Sequence, residues 1–233
     1  MKARERMAKI KSHLALPAVV APMFLVSGPD MVMAAIRAGM IGAFPAPNAR
    51  DIHIFEDWLQ RISAVANADE GREFKGSWAV NLVVHSTYPR LEEEVALLEK
   101  YRPPLVITAL GSPEAIVERV QAYGGMVIAD VNSVEYARKA AAVGVDGLAL
   151  VSAGAGGHTG HVTGFTFIPA VREFFEGVII AAGGIYNGQG VRAAEVLGAD
   201  IAYMGTRFIA TDESLANEEY KQMVVDAGPK DLV

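Results

Sequence analysis

A short polar loop between two apolar runs contains the residues best suited to chemistry. Residues 152–164 read SAGAGGHTGHVTG, with five glycines and two histidines. Glycine adopts positive φ and lets the backbone approach a flat ligand, which side chains would obstruct. Histidine can act as a base or an acid near neutral pH. His158, inside the glycine run, is therefore the candidate catalytic base and His161 is a weaker candidate; a solvated surface loop is the alternative.

Two more glycine clusters follow the last two apolar runs of the chain. Gly183 and Gly184 lie in AAGGI, and Gly205 and Thr206 lie in MGTRF. Backbone N–H groups in such loops, together with nearby helix N-termini, commonly bind phosphate. The pattern predicts a phosphate-bearing ligand, with a simple tight turn as the alternative for the Gly-Gly pair. The segment GGIYNGQG lacks G-x-G-x-x-G spacing, so it is not a dinucleotide-binding fingerprint.

Other candidate residues stand at the ends of apolar runs. The Asn81 amide can hydrogen-bond the edge of a heterocycle, or be satisfied internally. Asp130 is a candidate for cofactor binding, or for capping a helix that begins at Ser133. Pro22 stiffens a turn, and Met23 can pack on a ring or in the core.

The remaining histidines do not indicate a metal centre. His85, in VVHSTYP, suits either a ligand contact or a polar turn. His158 and His161 lie in a glycine loop without nearby carboxylates or established ligand spacing, so we predict no metal. His13 and His53 lack such a context and are expected at the surface or at helix ends.

Composition excludes several classes of function. A net charge of −6 argues against binding to nucleic acid or to an anionic membrane, because both need a clustered basic surface. The absence of cysteine excludes disulfides, thiolate metal sites and cysteine nucleophiles. The apolar run at 14–26 contains two prolines and is shorter than the roughly 20 residues of a membrane helix. We expect a soluble, cytoplasmic protein that acts on a small molecule.

Eight short apolar, β-branched runs predict strands separated by helical segments. The strands are expected at 17–22, 40–44, 78–83, 105–110, 126–131, 147–152, 178–182 and 201–205. Strands buried on both faces and alternating with helices indicate an α/β fold with a parallel sheet, and eight units close a (β/α)8 TIM-type barrel. One domain over 1–233 is predicted, and an open doubly wound sheet is the alternative.

The predicted barrel places the candidate residues together. Loops that follow barrel strands form one rim, where ligands bind. Asn81, Asp130 and the three glycine clusters all fall at or just after strand ends. The sequence after the eighth strand ends at PKDLV, where a new segment begins, so either the barrel ends with one helix or the chain is C-terminally shortened.

The ordered motifs VAPMF, VNLV, AGAGGHTG, AAGGI and MGTRF resemble those of the nitronate monooxygenase family, formerly called 2-nitropropane dioxygenases. The resemblance runs from about residue 17 to 212, and the glycine–histidine loop is its most specific part. It implies a (β/α)8 barrel with non-covalent FMN that oxidises an alkyl nitronate, or a nitroalkane, with O2 to a carbonyl compound and nitrite.

The resemblance also implies roles for individual residues. His158 corresponds to the catalytic base, which takes the α-proton of a neutral nitroalkane. Asp130 joins the cofactor-binding set because of its position at a strand end. The other implied flavin contacts are Ala21, Pro22, Met23 and Asn81 at the ring, and Gly157, Gly183, Gly184, Gly205 and Thr206 at the ring or the phosphate.

Three alternatives stay open on the sequence alone. An FMN-dependent enoyl-ACP reductase shares the barrel and a similar loop but needs NAD(P)H, and a quinone reductase is a further NAD(P)H-using possibility. The third is a flavin-binding protein without turnover, because family members usually continue past this length with elements that help cover the site. The oligomeric state also stays open, and a homo-oligomer is one possibility.

Overall fold

The chain folds as a closed barrel of parallel strands surrounded by helices. The computed structural model describes residues 2–68, 71 and 73–231. The strands are β1 (Ala18–Val20), β2 (Ile41–Pro45), β3 (Ser77–Val83), β4 (Leu105–Ala109), β5 (Met126–Val131), β6 (Gly147–Val151), β7 (Val178–Ala182) and β8 (Ile201–Met204). The α-helices are α1 (Ala3–Lys11), α2 (Pro29–Arg37), α3 (Ile52–Asn67), α4 (Leu91–Tyr101), α5 (Glu114–Ala122), α6 (Val134–Ala142), α7 (Gly164–Arg172), α8 (Gly188–Leu197) and α9 (Glu218–Asp226). Short 3-10 turns occupy Ala46–Asn48, Thr206–Phe208 and Pro229–Asp231.

Backbone pairing between the first and last strands closes the barrel. Each strand pairs in parallel with the next, and β1 pairs with β8 through Val19 and Tyr203. The predicted TIM-type barrel is therefore confirmed, and the open doubly wound sheet is wrong. Every predicted strand is present. The largest difference is at 17–22, which shortens to Ala18–Val20 because prolines flank it and cannot donate to a strand ladder.

Local signals set the ends of the helices. Ser133 Oγ accepts a hydrogen bond from the Tyr136 amide and begins α6, as the sequence predicts. Asn187 begins α8 by accepting from the Gly190 amide. Gly198 ends α8 with φ 109°, a left-handed conformation that favours glycine. None of the described helices is both long enough and apolar enough to cross a membrane.

Apolar side chains form two main cores. The larger core lies between the barrel and the helices, and Phe44, Phe55 and Phe167 are fully buried in it. The smaller core fills the inside of the barrel, where alternate strand residues such as Ile41 and Ile180 point inward. The centre of the barrel is thus a packed core rather than a pore, and ligands must bind at its ends.

Helix α1 covers the N-terminal end of the barrel. Met7 on this helix is buried and packs into the inner core. Two ion pairs fasten the helix to loops at that end: Arg4 Nε lies 3.1 Å from Asp200 Oδ1, and an Arg6 guanidinium nitrogen lies 3.5 Å from Asp146 Oδ1. With this end covered, the opposite end is left for ligands.

The substitution Met7→Ala tests this role of α1. Removing a fully buried methionine should lower the free energy of unfolding by about 2–5 kcal/mol. The matched change Met223→Ala removes a side chain that is 61% exposed on α9 and should change stability by less than about 0.5 kcal/mol. Urea denaturation followed by circular dichroism measures both, and equal effects would contradict the packing of α1 into the barrel.

Candidate active site at the C-terminal end of the barrel

Three polar side chains stand at inward positions near the C-terminal ends of strands. Asn81, Asp130 and Tyr203 each follow an inner-core residue by two positions, so they share its inward face. Tyr203 is itself part of the inner core. The strand-end rule identified Asn81 and Asp130 but missed Tyr203, because a tyrosine in an apolar strand is more often core than site. Together they form the polar floor of the barrel mouth.

The carboxyl group of Asp130 has no partner within the described part of the chain. Its Oδ1 is buried without a hydrogen bond, although the residue as a whole is only partly buried. Burial raises the pKa of Asp130 to about 7, because a charged carboxylate is poorly solvated there. The capping alternative is wrong, since Ser133 caps α6.

The hydroxyl group of Tyr203 is in the same situation. Its Oη is buried and makes no hydrogen bond to the described residues. Burial raises the pKa of Tyr203 above its ordinary value, and the negative charge of Asp130 raises it further. The two groups therefore interact electrostatically, although β5 and β8 are not neighbouring strands. Asn81 is 7% exposed, and its Nδ2 lies 3.5 Å from the Ile107 carbonyl oxygen, the outer limit of a hydrogen bond.

Main-chain hydrogen bonds join the loops that follow β6 and β7. The Ser152 amide donates to the Ala182 carbonyl at 3.1 Å, and the Gly184 amide donates to the Gly154 carbonyl at 3.1 Å. Gly183 has φ 123°, and a Cβ there would lie 2.5 Å from Ser152 Oγ. Only glycine fits at this contact, because the backbone of one loop lies directly against the other loop. The two loops therefore form one continuous surface.

That surface leaves open space above it. A Cβ built on Gly156, Gly157 or Gly184 would meet no heavy atom within 4 Å. Gly157 and Gly184 have φ of 74° and 67°, so the backbone there is left-handed. Ala155 packs against the inner core, which brings the glycine loop over the barrel mouth. The arrangement exposes backbone rather than side chains, as close approach of a flat ligand or a phosphate requires.

His158 lies on this loop with its imidazole exposed. Its carbonyl oxygen accepts a hydrogen bond from Asn132 Nδ2 at 3.4 Å, and the adjacent Thr159 Oγ1 donates to the Ser152 carbonyl at 2.7 Å. The backbone on both sides of the ring is thereby held in place. The ring itself makes no hydrogen bond to the described residues, so both ring nitrogens are accessible to a ligand.

The other histidines have different surroundings. His161 is exposed at the far end of the loop. His85 Nδ1 lies 2.8 Å from Thr87 Oγ1, which favours the polar-turn interpretation. His13 and His53 are exposed at the ends of α1 and α3, as predicted. Within the described ranges, no group of three or more histidine or carboxylate side chains could hold a metal ion.

The loop after β1 is fixed by two residues that the sequence analysis missed. Asn48 Nδ2 donates to the carbonyls of Met23 at 3.0 Å and Ser27 at 2.8 Å, and its Oδ1 accepts from the Leu25 amide at 2.9 Å. Ser27 Oγ accepts from the Met23 amide and donates to the Ala21 carbonyl. Asn48 follows β2 by three positions, so the strand-end rule could have found it. No sequence signal marks Ser27.

The loops after β1 and β8 lie against each other. The Ala21 amide donates to the Met204 carbonyl at 2.9 Å, and a Cβ on Gly205 would lie 3.4 Å from Met23 Sδ. Thr206 begins a 3-10 turn and is exposed. Pro22 is partly buried in the same loop as Met23.

The structure thus brings the predicted residues together in three groups around one mouth. The first is Ala21, Pro22, Met23, Gly205 and Thr206, the second is Gly157, Gly183 and Gly184 with His158, and the third is Asn81 and Asp130 on the floor. His85 stays apart in its own turn. Large exposed apolar side chains around the mouth offer a surface for an organic ligand. They are Phe24, Leu25, Leu110 and Tyr186 in the loops and Phe165 in the first turn of α7.

Nearly the whole chain matches one known protein family. A sequence profile of the nitronate monooxygenase family matches residues 6–233. The chain belongs to the nitronate monooxygenase family. The resemblance inferred from the glycine–histidine loop is therefore confirmed, and the closed barrel is the fold that this resemblance implies.

Similar proteins of known name have different activities. A probable nitronate monooxygenase from Staphylococcus haemolyticus is 30% identical over 188 residues, which cover 76% of this chain and 50% of that protein. The (3aS,4S,5R,7aS)-5-hydroxy-7a-methyl-1-oxo-octahydro-1H-indene-4-carboxyl-CoA dehydrogenase of Mycobacterium tuberculosis is 29% identical over 215 residues, 91% of this chain and 58% of the dehydrogenase. The structure of FabK from Thermotoga maritima is similar with a TM-score of 0.82 and 27% identity, over 96% of this chain and 68% of FabK. The chain thus spans 50% and 58% of the lengths of these two curated relatives.

The buried carboxyl group makes stability depend on pH. The unfolded chain ionises Asp130 near its ordinary pKa of 3.8, whereas the folded protein keeps the proton until about pH 7. The unfolded state therefore binds fewer protons between these values, and stability should fall as pH rises from about 4 to about 7. Over this window Asp130→Asn should gain stability relative to the unsubstituted protein, by on the order of 4 kcal/mol. Urea denaturation at several pH values measures the difference, and parallel pH profiles would contradict a neutral buried carboxyl group.

Proposed function

We propose that this chain forms the FMN-binding barrel of a flavin-dependent oxidoreductase that oxidises alkyl nitronates with O2 to a carbonyl compound and nitrite. The observation that carries the proposal is the glycine loop with His158, which crosses the barrel mouth beside the glycine pair after β7. Membership of the nitronate monooxygenase family supports the same chemistry. The substrates are a small nitronate or nitroalkane and O2.

The residues at the mouth fit the chemical parts of FMN. A phosphate needs backbone N–H donors without obstructing side chains, which suits Gly183 and Gly205 with the Thr206 hydroxyl. Gly184 contributes open space there, because its own amide already donates to the Gly154 carbonyl. The ring is flat and apolar on its faces, which suits Met23 and the open backbone at Gly157.

The polar edge of the ring needs hydrogen-bonding partners. Asn81 and Asp130 have unused hydrogen-bonding capacity on the floor of the mouth. Ala21 and Pro22 would line the ring from the loop after β1, which Ser27 and Asn48 hold in place.

Bound FMN would supply the electron-accepting chemistry that no side chain offers. The protein's own contribution is to position the substrate and to move one proton. We assign His158 as the base that removes the α-proton of a neutral nitroalkane, because its ring is exposed on a loop whose backbone is fixed. A preformed nitronate has already lost this proton, so it would not need the base.

A reductase that uses NAD(P)H is the second candidate. The similarity to a CoA dehydrogenase and to FabK favours it. Stopped-flow absorbance of the FMN-loaded protein, mixed separately with propyl-2-nitronate and with NADH, separates the two, with nitrite assayed in aerobic runs. Flavin reduction by the nitronate with nitrite formation supports the first proposal. Rapid reduction by NADH alone supports the second, and no response to either reagent would overturn both.

The variants His158→Ala and His158→Asn test the assigned base. Turnover of neutral nitroalkanes should fall by about 10²–10⁴-fold, the usual contribution of general base catalysis. Turnover of preformed nitronates should fall much less, because no proton is removed. His85→Asn removes a histidine already bonded to Thr87 and is the control. Steady-state kinetics with both substrate forms measure the selectivity, and equal losses at unchanged flavin occupancy would contradict the assignment.

The substitution Gly184→Ala tests the phosphate loop. The added methyl group enters open space at φ 67° and should obstruct the phosphate, weakening FMN binding at least about tenfold. Gly124→Ala is the matched control, because Gly124 also has positive φ, 91°, and open space, but lies before β5 at the other end of the barrel. Fluorescence titration with FMN measures both variants, and equal affinities would contradict a phosphate at Gly184.

A further inference from the structure

Two buried polar atoms inside the barrel mouth have no partner. Within the described part of the chain, the buried side-chain atoms without a hydrogen bond are those of Asp130 and Tyr203 on the strands, and of Arg90, Glu94 and Tyr123 elsewhere. Arg90 and Glu94 form an ion pair with each other at 2.7 Å. Asp130 and Tyr203 are therefore the pair that faces the barrel interior without a hydrogen-bonding partner.

Such atoms are costly in a folded protein. A buried polar group has given up its hydrogen bonds to water, and the loss is recovered only when a partner replaces the water. Native proteins leave few buried groups unpaired, and the exceptions often mark a ligand or a catalytic role. A polar group that enters from the mouth would satisfy both Asp130 and Tyr203 at once.

The neighbouring positions leave room for such a group. In the strand register Asp130 lies beside Ala149, and Tyr203 lies between Ala182 and Val19. Both alanines belong to the inner core and are small. Each of the two polar side chains thus has an alanine neighbour that leaves more room at the barrel mouth than a larger side chain would.

The charged residues on the strands restrict which chemical groups can bind inside the barrel mouth. None of the eight strands contains Lys, Arg or His, and Asp130 is their only carboxyl group. An anionic group such as a phosphate would meet no cation there. A neutral group that both donates and accepts hydrogen bonds matches a phenol and a carboxyl group.

We propose that Asp130 and Tyr203 together bind the pyrimidine edge of the flavin ring, the ureide-like part that carries its N–H group and carbonyl oxygens. The inference rests on the proposed function, which brings FMN to this mouth. It adds Tyr203 to the residues that bind the ligand. It also assigns binding of the ring to the floor of the mouth and binding of the phosphate to the loop at Gly184.

The substitution Tyr203→Phe keeps the ring of the side chain and removes only the unpaired hydroxyl. Affinity for FMN should fall about tenfold, the usual effect of one lost buried hydrogen bond. Affinity for riboflavin, which has the same ring and no phosphate, should fall by the same factor. Gly184→Ala should instead weaken FMN binding and leave riboflavin binding nearly unchanged, because only FMN carries the phosphate.

Two further variants provide a control and a second test of the pair. Tyr123→Phe removes another buried, unpaired hydroxyl, at the C-terminal end of α5, and should leave both affinities unchanged. Asp130→Leu retains approximate size but cannot hydrogen-bond, and should weaken both ligands at least as much as Tyr203→Phe. If Asp130→Leu does not fold, Tyr203→Phe carries the test, because deleting an unsatisfied hydroxyl should not lower the stability of the ligand-free protein.

Fluorescence titrations of each variant with FMN and with riboflavin decide the outcome. Parallel losses for the two ligands in Tyr203→Phe support the pair as the ring-binding site. Unchanged affinities in Tyr203→Phe, with tight binding by the unsubstituted protein, would overturn the pair but leave the FMN proposal intact. Failure of the unsubstituted protein to bind either flavin would overturn both.

Discussion

Closure of the parallel barrel between β1 and β8 is the constraint on which the candidate site depends. Because all strands run in the same direction, their C-terminal ends meet at one rim. Closure then makes neighbours of residues far apart in the chain, as when the Ala21 amide donates to the Met204 carbonyl. Helix α1 covers the other end with Met7. Chemistry is thereby confined to a single mouth.

The mouth is built largely from backbone. The loops after β6 and β7 are joined by main-chain hydrogen bonds, and the approach at Gly183 excludes any side chain. Asn48 fixes the loop after β1 through the backbone atoms that it contacts. A frame of this kind restricts the loop without occupying the space above it. The imidazole of His158 can then face a ligand while its own backbone is held.

The barrel interior follows the usual packing rules except at its C-terminal floor. Most inward residues are aliphatic and fully buried, as in the centre of a packed barrel. Asp130 and Tyr203 break this rule, since each has a buried oxygen without a partner. Proteins commonly tolerate such local conflicts where a site requires them, because the rest of the core supplies the stability. The conflict lies at the end of the barrel that α1 leaves open.

The sequence alone was enough to predict the alternation of strands and helices, a barrel of eight strands and the position of the glycine clusters on one rim, but pairing of β1 with β8 in the structure was needed to exclude an open sheet. These predictions were possible because apolar periodicity, turn residues and strand count depend on residues that are close together in the sequence. They can therefore be recognised before the fold is known. The family also followed from the ordered motifs, which lie at the C-terminal ends of strands and in the loops that follow them. These features carry most of the candidate site.

Which polar residues face the mouth, and which support it from behind, could be seen only in the folded chain. Asp130 had two interpretations until the structure showed that Ser133 caps α6. Tyr203 and Ser27 were missed, because their roles come from partners on other strands and loops. Asn48 was missed too, although its position shortly after β2 was a signal. Inward direction, burial and hydrogen bonding between distant segments depend on closure of the barrel, so no local pattern in the sequence can specify them.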